Sequence, residues 1–136
     1  MATPTTETVP DRLPRNVKLL GLVSLVNDIA SEMVFPLLPR FVIATLGGSK
    51  VQLGVIEGVA DTVASLLKLW SGGWSDRSGR RKSLVVSGYA LTAATRPLLG
   101  LATAPWQVFA VRVTDRTGKG VRTPTRDALI ADSTPP

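Results

Sequence analysis

The sequence predicts an all-α membrane protein, and three observations support this fold class. Three apolar segments, residues 17–46, 53–74 and 83–104, each reach the length of about 20 residues that a helix needs to cross a bilayer. The mean hydropathy of the chain is +0.21, and no lysine or arginine lies between Leu19 and Arg40. The cations collect instead near the short connections between apolar segments, which is typical of membrane proteins.

The residue composition limits the functions that the chain can have. The net charge is +6, from 16 lysines and arginines against 10 acids. Such a charge suggests that the chain binds nucleic acid or an anionic membrane surface, or that its cations lie in the cytoplasmic loops of a membrane protein. The cations lie at the ends of predicted helices with apolar surface between them, and this disfavours nucleic acid. The chain contains no cysteine and no histidine, so we expect neither a metal ion nor a cofactor.

The chain is predicted to consist of a lead-in and a membrane domain. Residues 1–15 are rich in Thr and Pro and lack an apolar core, which predicts a disordered, cytoplasmic stretch. Residues 16–136 form the membrane domain, with helices at roughly 17–46, 53–74, 83–104 and 106–130.

Helical phase gives each of the first two segments an apolar face and a narrow polar stripe. The stripe of the first segment includes Asp28 and Glu32, and that of the second includes Glu57 and Asp61. An amphipathic soluble bundle is the alternative. It is disfavoured because a solvated helix face usually carries many Lys, Glu and Gln, whereas these stripes consist mostly of small residues and single acids.

The third and fourth segments differ sharply in charge. The third has no charged residue between Ser83 and Thr95, as expected of a membrane helix. The fourth begins at Trp106 and carries a charged run at helical spacing on one face. The residues of this run are Arg112, Asp115, Arg116 and Lys119.

The connection between the second and third segments holds the densest group of cations, Arg77, Arg80, Arg81 and Lys82. Such a loop is expected on the cytoplasmic side of a membrane. This orientation also places the N-terminus in the cytoplasm and makes the chain a multi-pass protein of the inner (plasma) membrane.

Two motifs resemble those of the major facilitator superfamily. The stretch GGWSDRSGRRKSL resembles the superfamily's loop between helices two and three, G-x-x-x-D-[RK]-x-G-[RK]-[RK]. The matching residues are Gly72, Asp76, Arg77, Gly79, Arg80 and Arg81. The stretch RVTDRTG resembles the helix-four pattern R-x-x-Q-G-x-G, in which Arg112 and Gly118 match, while Asp115 replaces Gln and Arg116 replaces the first Gly.

The resemblance implies a fold and a function. The chain is similar to helices one to four of the superfamily's six-helix N-terminal half, so it resembles an N-terminal fragment whose remaining helices are missing. NDIASEM…PLLP and DRTGKGVRTPTRDAL further resemble a bacterial, drug-efflux-like branch. The implied function is a secondary active transporter, not an enzyme, that moves a small organic solute. We expect efflux by alternating access, coupled to protons. The runner-up function is a small integral-membrane enzyme acting on lipid head groups.

The acids of the polar stripes are the first candidates for that chemistry. Asp28 and Glu32, like Glu57 and Asp61, are four residues apart near mid-membrane. An ionised carboxylate there must face a wet cavity, pair with a cation or hold a proton, and close acids can share one proton. The alternative is a structural ion pair with Arg96, Arg112, Arg116 or Lys68, and for Glu57 the two interpretations are equally supported.

The resemblance also implies roles for the remaining candidates. Arg112, with Asp115 and Arg116 beside it, would take part in proton handling or substrate binding, unless these residues only neutralise acids of the first two helices. The motif residues 72–81 would form a conformational latch that is closed in one state and open in the other. The alternative role of the cations in this motif is to fix the topology.

Overall fold

The computed structural model describes residues 13–133, and within this range the fold is all-α. Four long helices are joined by short connections, and a short helical stretch follows the first. In chain order the elements are α1 (Arg15–Val34), α2 (Leu37–Arg40), a π-helical turn (Phe41–Thr45), α3 (Lys50–Ser78), α4 (Arg81–Gly100) and α5 (Pro105–Ser133). The predicted lead-in falls largely outside the described residues.

The structure divides the predicted first helix. Helix α1 ends at Val34, and the chain resumes a helix after Pro36, whose ring and missing N–H interrupt the helical hydrogen bonds. The π-helical turn then widens the last part of the segment. By length and composition, Arg15–Thr45 is the one stretch of the described residues that is long and apolar enough to cross a membrane.

Helix α3 is longer at both ends than the sequence predicts. It begins at Lys50 because Ser49 and Gln52 form a capping box, in which each side chain accepts a hydrogen bond from the other's backbone N–H, at 3.1 and 2.9 Å. It ends at Ser78, and Gly79 closes it with a left-handed φ of 64°. The motif residues Gly72, Asp76 and Arg77 therefore lie on a helix and not in a loop.

Helix α5 is the centre of the packing, because it runs against both α3 and α4. The close approach depends on glycine. A Cβ built on Gly120 would lie 2.7 Å from the carbonyl oxygen of Ala64, and one on Gly88 would lie 2.9 Å from that of Gly118. Helix α1 contacts α5 much less. The fold is thus a tight three-helix unit with α1 laid loosely on it.

The outward faces of the helices remain apolar. Helix α1 exposes Leu22, Val26 and Met33, and α3 exposes Leu69 and Trp70, each more than half accessible. The buried apolar core, by contrast, is a small cluster at one end, formed by Leu38, Val42, Ile56 and Val108. Apolar surface on the outside and charge on the inside is the arrangement expected in a bilayer.

Candidate functional site

An ion pair between α5 and α3 forms the centre of the candidate site. Arg112 donates two hydrogen bonds to Glu57, from Nε to Oε1 and from Nη2 to Oε2, both at 2.8 Å. Its side chain is 6% exposed and that of Glu57 is 19% exposed. A bidentate pair of this kind is a strong and directional contact, and here it joins the two helices.

The next charged residues of α5 extend this pair in both directions. Arg116 lies 3.4 Å from Asp61 and 3.8 Å from Glu57. Asp115 lies 3.8 Å from Arg112 and 3.9 Å from Arg96 of α4. Three acids and three arginines thus form one continuous cluster across α3, α4 and α5, which we call the central charge cluster: Glu57, Asp61, Arg96, Arg112, Asp115 and Arg116.

Helix α1 is connected to the central charge cluster through Arg96. This side chain donates to the carbonyl oxygen of Asn27 at 3.0 Å and to Oγ of Ser31 at 2.6 Å. Next to Ser31, a mostly polar cavity of about 20 Å³ is lined by Ser31, Glu32 and Phe35 on one side and by Arg112, Asp115, Arg116 and Lys119 of α5 on the other. That volume holds about one water molecule, so the polar stripes enclose a small polar space.

The structure separates the four predicted acids into two kinds. Glu57 is held by Arg112 within the protein. Asp61 and Asp28 keep side-chain exposures of 61% and 48%, and within residues 13–133 each has one ion-pair partner, Arg116 at 3.4 Å and Arg122 at 3.8 Å. Glu32 is exposed and makes no ion pair within residues 13–133. Lys68, which the sequence offered as a structural partner, pairs with none of these four acids in the same range.

A second group of arginines, which the sequence analysis did not select, lies further along α5. Arg122 is 97% buried, at 3.8 Å from Asp28 and with its guanidinium 4.4 Å from the ring centre of Tyr89. Arg126 donates to Ser24 of α1 and to Asp127. The spacing that joins Arg112, Arg116 and Lys119 continues to these residues, so extending the helical phase past Gly120 could have found them.

The predicted latch residues meet the end of α5. Arg81 donates to Asp76 at 2.9 Å and also to Asp132, so it joins the ends of α3 and α5. The hydrogen bond to Asp132, and then that to Asp76, raises the pKa of the Arg81 guanidinium above its ordinary value. Arg77 and Arg80 are exposed and form no ion pair within the part of the chain that the structure describes.

Comparison with known proteins identifies the family of this arrangement. The sequence model of the Major Facilitator Superfamily matches residues 20–136. The chain belongs to the Major Facilitator Superfamily. Membership makes it a membrane protein of a transporter family rather than an enzyme, which sets aside the lipid head-group enzyme as an alternative.

Several curated relatives share this family. The chain is 37% identical to an uncharacterized MFS-type transporter of Methanocaldococcus jannaschii, over 90% of this chain and 31% of the relative. It is 30% identical to the inner membrane transport protein YajR of Escherichia coli, over 85% of this chain and 25% of YajR. It is 27% identical to the multidrug resistance protein MdtH of Sodalis glossinidius, over 76% of this chain and 25% of MdtH.

The lengths of these matches define what the comparison covers. The chain spans about a third or less of the curated relatives that it matches. No solved structure matches it. The predicted similarity to this superfamily and its all-α membrane fold are confirmed, while the transport activity of a whole protein belongs to the proposals below.

Proposed function

We propose that the chain serves a secondary active transporter that exports a small organic solute, with protons as the coupling ion. The observation that carries this proposal is the division of the acids. Glu57 is held in the protein by a bidentate arginine, while Asp28, Glu32 and Asp61 remain accessible. Charged groups at membrane depth usually mark ion or substrate pathways.

The accessible acids suit an amphipathic organic cation as the solute. A carboxylate with one distant cationic partner can exchange that partner for a cationic solute or for a proton. The name of the relative MdtH, a multidrug resistance protein, supports export of a drug-like compound. Because one acid cannot hold a proton and pair with a cation at the same time, the two would compete, and this competition couples their movements.

Apart from the accessible Asp61, the central charge cluster would supply a fixed frame for this exchange. Arg112 and Glu57 hold α5 against α3, and Arg96 holds α4 against α1 through Ser31. In alternating access, elements rock around a site whose frame is preserved. We place the N-terminus and the Arg77–Arg81 end in the cytoplasm and the protein in the inner membrane, because cations concentrate at that end.

Neutralising the accessible acids is expected to reduce proton-driven export of an organic cation. In everted membrane vesicles, Asp28→Asn, Glu32→Gln and Asp61→Asn should each lower the initial rate of ethidium accumulation about tenfold or more. A charged hydrogen bond is worth about 1.5–3 kcal/mol, which corresponds to this loss. The matched control is Asp127→Asn, because Asp127 is 59% exposed and, among residues 13–133, pairs only with the adjacent Arg126.

This experiment also has a result that contradicts the proposal. If all three neutral variants accumulate ethidium at the parental rate and keep the same dependence on the pH gradient, the accessible acids carry neither solute nor proton. A loss of equal size in Asp127→Asn would point to a general charge effect and would contradict the proposal as well.

The latch role proposed for the Arg81 contacts makes a separate prediction. Asp132→Asn removes one of the two carboxylates that hold Arg81, which should alter the balance between two conformations about fivefold. An exposed ion pair contributes little to stability, so thermal unfolding should change little while the ethidium rate changes. Asp127→Asn on the same helix is again the control. If Asp132→Asn accumulates ethidium at the parental rate, Arg81 does not act as a latch and serves only to fix the topology of the chain in the membrane.

A further inference from the structure

A stripe of four residues on the outer face of α3 changes along the helix from apolar through aromatic to cationic. Leu66, Trp70, Trp74 and Arg77 follow one another at spacings of four, four and three residues, which places them on one face. The first three side chains are exposed, and the two indole rings stack with centroids 5.3 Å apart. We call these four residues the tryptophan stripe.

The order of the stripe matches the order of chemical groups in one leaflet of a bilayer. An apolar leucine comes first, then two tryptophans, whose amphipathic rings prefer the interface, and then an arginine. At about 1.5 Å per residue, Leu66 and Arg77 are about 16 Å apart along the axis, close to the thickness of one leaflet's hydrocarbon layer. The stripe therefore runs from acyl-chain depth to phosphate depth.

In the described part of the chain, the cations at the end of the stripe have no ion-pair partner. Asp76, the neighbouring acid, is engaged by Arg81 at 2.9 Å. Arg77, and Arg80 just beyond the end of α3, are exposed and unpaired among residues 13–133. Two uncompensated guanidinium groups at phosphate depth complement a lipid with a net negative charge better than a zwitterionic lipid.

We propose that the tryptophan stripe, together with Arg80, is a binding site for an anionic phospholipid. The acyl chains lie along Leu66, the glycerol region contacts Trp70 and Trp74, and Arg77 and Arg80 bind the phosphate. This role is distinct from transport. It makes the end of α3 beside the Arg81 contacts sensitive to the lipid composition of the membrane.

Tryptophan fluorescence can test this site directly. The chain has three tryptophans, so Trp106→Phe leaves only the stacked pair as emitters. The purified Trp106→Phe protein is reconstituted into phosphatidylcholine vesicles that contain equal fractions of either brominated phosphatidylcholine or brominated phosphatidylglycerol. Because bromine quenches at short range, the ratio of the two quenching curves gives the relative affinity of the site for the anionic lipid.

The expected result is a preference for phosphatidylglycerol of at least fivefold, since each interfacial cation contributes about fivefold. Arg77→Gln combined with Arg80→Gln should bring the ratio close to one, while Arg40→Gln, a control at the far end of the first segment, should leave it unchanged. A protein with Trp70→Phe and Trp74→Phe, in which only Trp106 emits, should show no preference.

Two results would overturn the proposal. Equal quenching by both lipids with Arg77 and Arg80 intact would mean that the stripe meets lipid without selecting charge. No quenching by either lipid would mean that polypeptide covers the stripe. Quenching by neutral brominated lipid in the arginine variants shows that they remain inserted, so a lost preference cannot be attributed to misfolding.

Discussion

Replacing Arg112 with methionine is expected to lower the free energy of unfolding by about 3–5 kcal/mol. The substitution keeps most of the side-chain volume but removes both hydrogen bonds to Glu57 and the contact with Asp115 at 3.8 Å. Both acids are largely buried, so each loses a cation without gaining water. Glu57 keeps only Arg116 at 3.8 Å and Asp115 keeps only Arg96 at 3.9 Å among residues 13–133, and a poorly compensated buried charge is among the most destabilising changes in a folded protein.

The loss of stability in Arg112→Met should come mainly from the carboxylate of Glu57 that is left behind. A second substitution, at Glu57, tests this. Adding Glu57→Leu to Arg112→Met replaces the pair with two apolar side chains, and such replacements are often neutral or stabilising. The double variant should therefore regain most of the stability lost by Arg112→Met. The measurement is the unfolding of the purified protein in mild micelles with increasing sodium dodecyl sulfate, followed by circular dichroism.

The matched control for Arg112 is Arg40→Met. Arg40 is exposed and makes no ion pair in the described part of the chain, so its loss should change stability by less than about 0.5 kcal/mol. A double variant as unstable as Arg112→Met alone would show that Glu57 is not the source of the loss. The pair would then not be the contact that joins α3 to α5.

The sequence was sufficient to predict the apolar segments and the face of each helix that carries acids. Hydropathy and helical phase depend only on neighbouring residues, so they can be read without a structure. The partner of each acid could not be read in this way, because pairing depends on how two helices are rotated and shifted against one another. Arg112 was one of four possible partners for Glu57, and only the packing of α5 on α3 selects it.

Helix ends and the second arginine group were harder to predict for a related reason. The sequence predicted that the second helix ends at Trp74, before the charged residues. In the structure α3 continues through them to Ser78, where Gly79 ends the helix by adopting a left-handed backbone. Arg122 and Arg126 lie beyond the charged run predicted on the fourth segment, which ends at Lys119. The structure buries Arg122 because α5 continues and brings it against Tyr89.

Glycine positions give the clearest contrast between sequence and structure. Gly54 and Gly58 are four residues apart, a spacing that is typical of a close contact between two helices. In the structure, a Cβ built on either would meet nothing within 4 Å, whereas Gly88, Gly118 and Gly120 lie where α5 crosses α4 and α3. Spacing alone does not distinguish a glycine at a crossing from one on an open face, because both satisfy the same pattern.

This contrast predicts opposite effects for one and the same substitution. Gly120→Ala should lower the free energy of unfolding by about 1–3 kcal/mol, because its Cβ would lie 2.7 Å from the carbonyl oxygen of Ala64, and backbone cannot move aside as a flexible side chain can. Gly58→Ala should raise it by about 0.5–1 kcal/mol, since alanine favours the helix and meets no obstacle. Both are measured by the same detergent titration.

The two glycines that face one another across α4 and α5 extend this prediction. A Cβ on Gly88 would lie 2.6 Å from Cβ of Arg122, and a Cβ on Gly118 would lie 2.8 Å from Oγ1 of Thr92. Each alanine should be destabilising, and because both push the same two helices apart, their combined loss should be smaller than the sum. Stabilisation by Gly120→Ala, or a gain in stability for alanine at Gly88 or Gly118 like that expected at Gly58, would contradict the packing of α5 as the centre of the fold. The central charge cluster would then have no rigid frame, because its arginines are positioned by these same crossings.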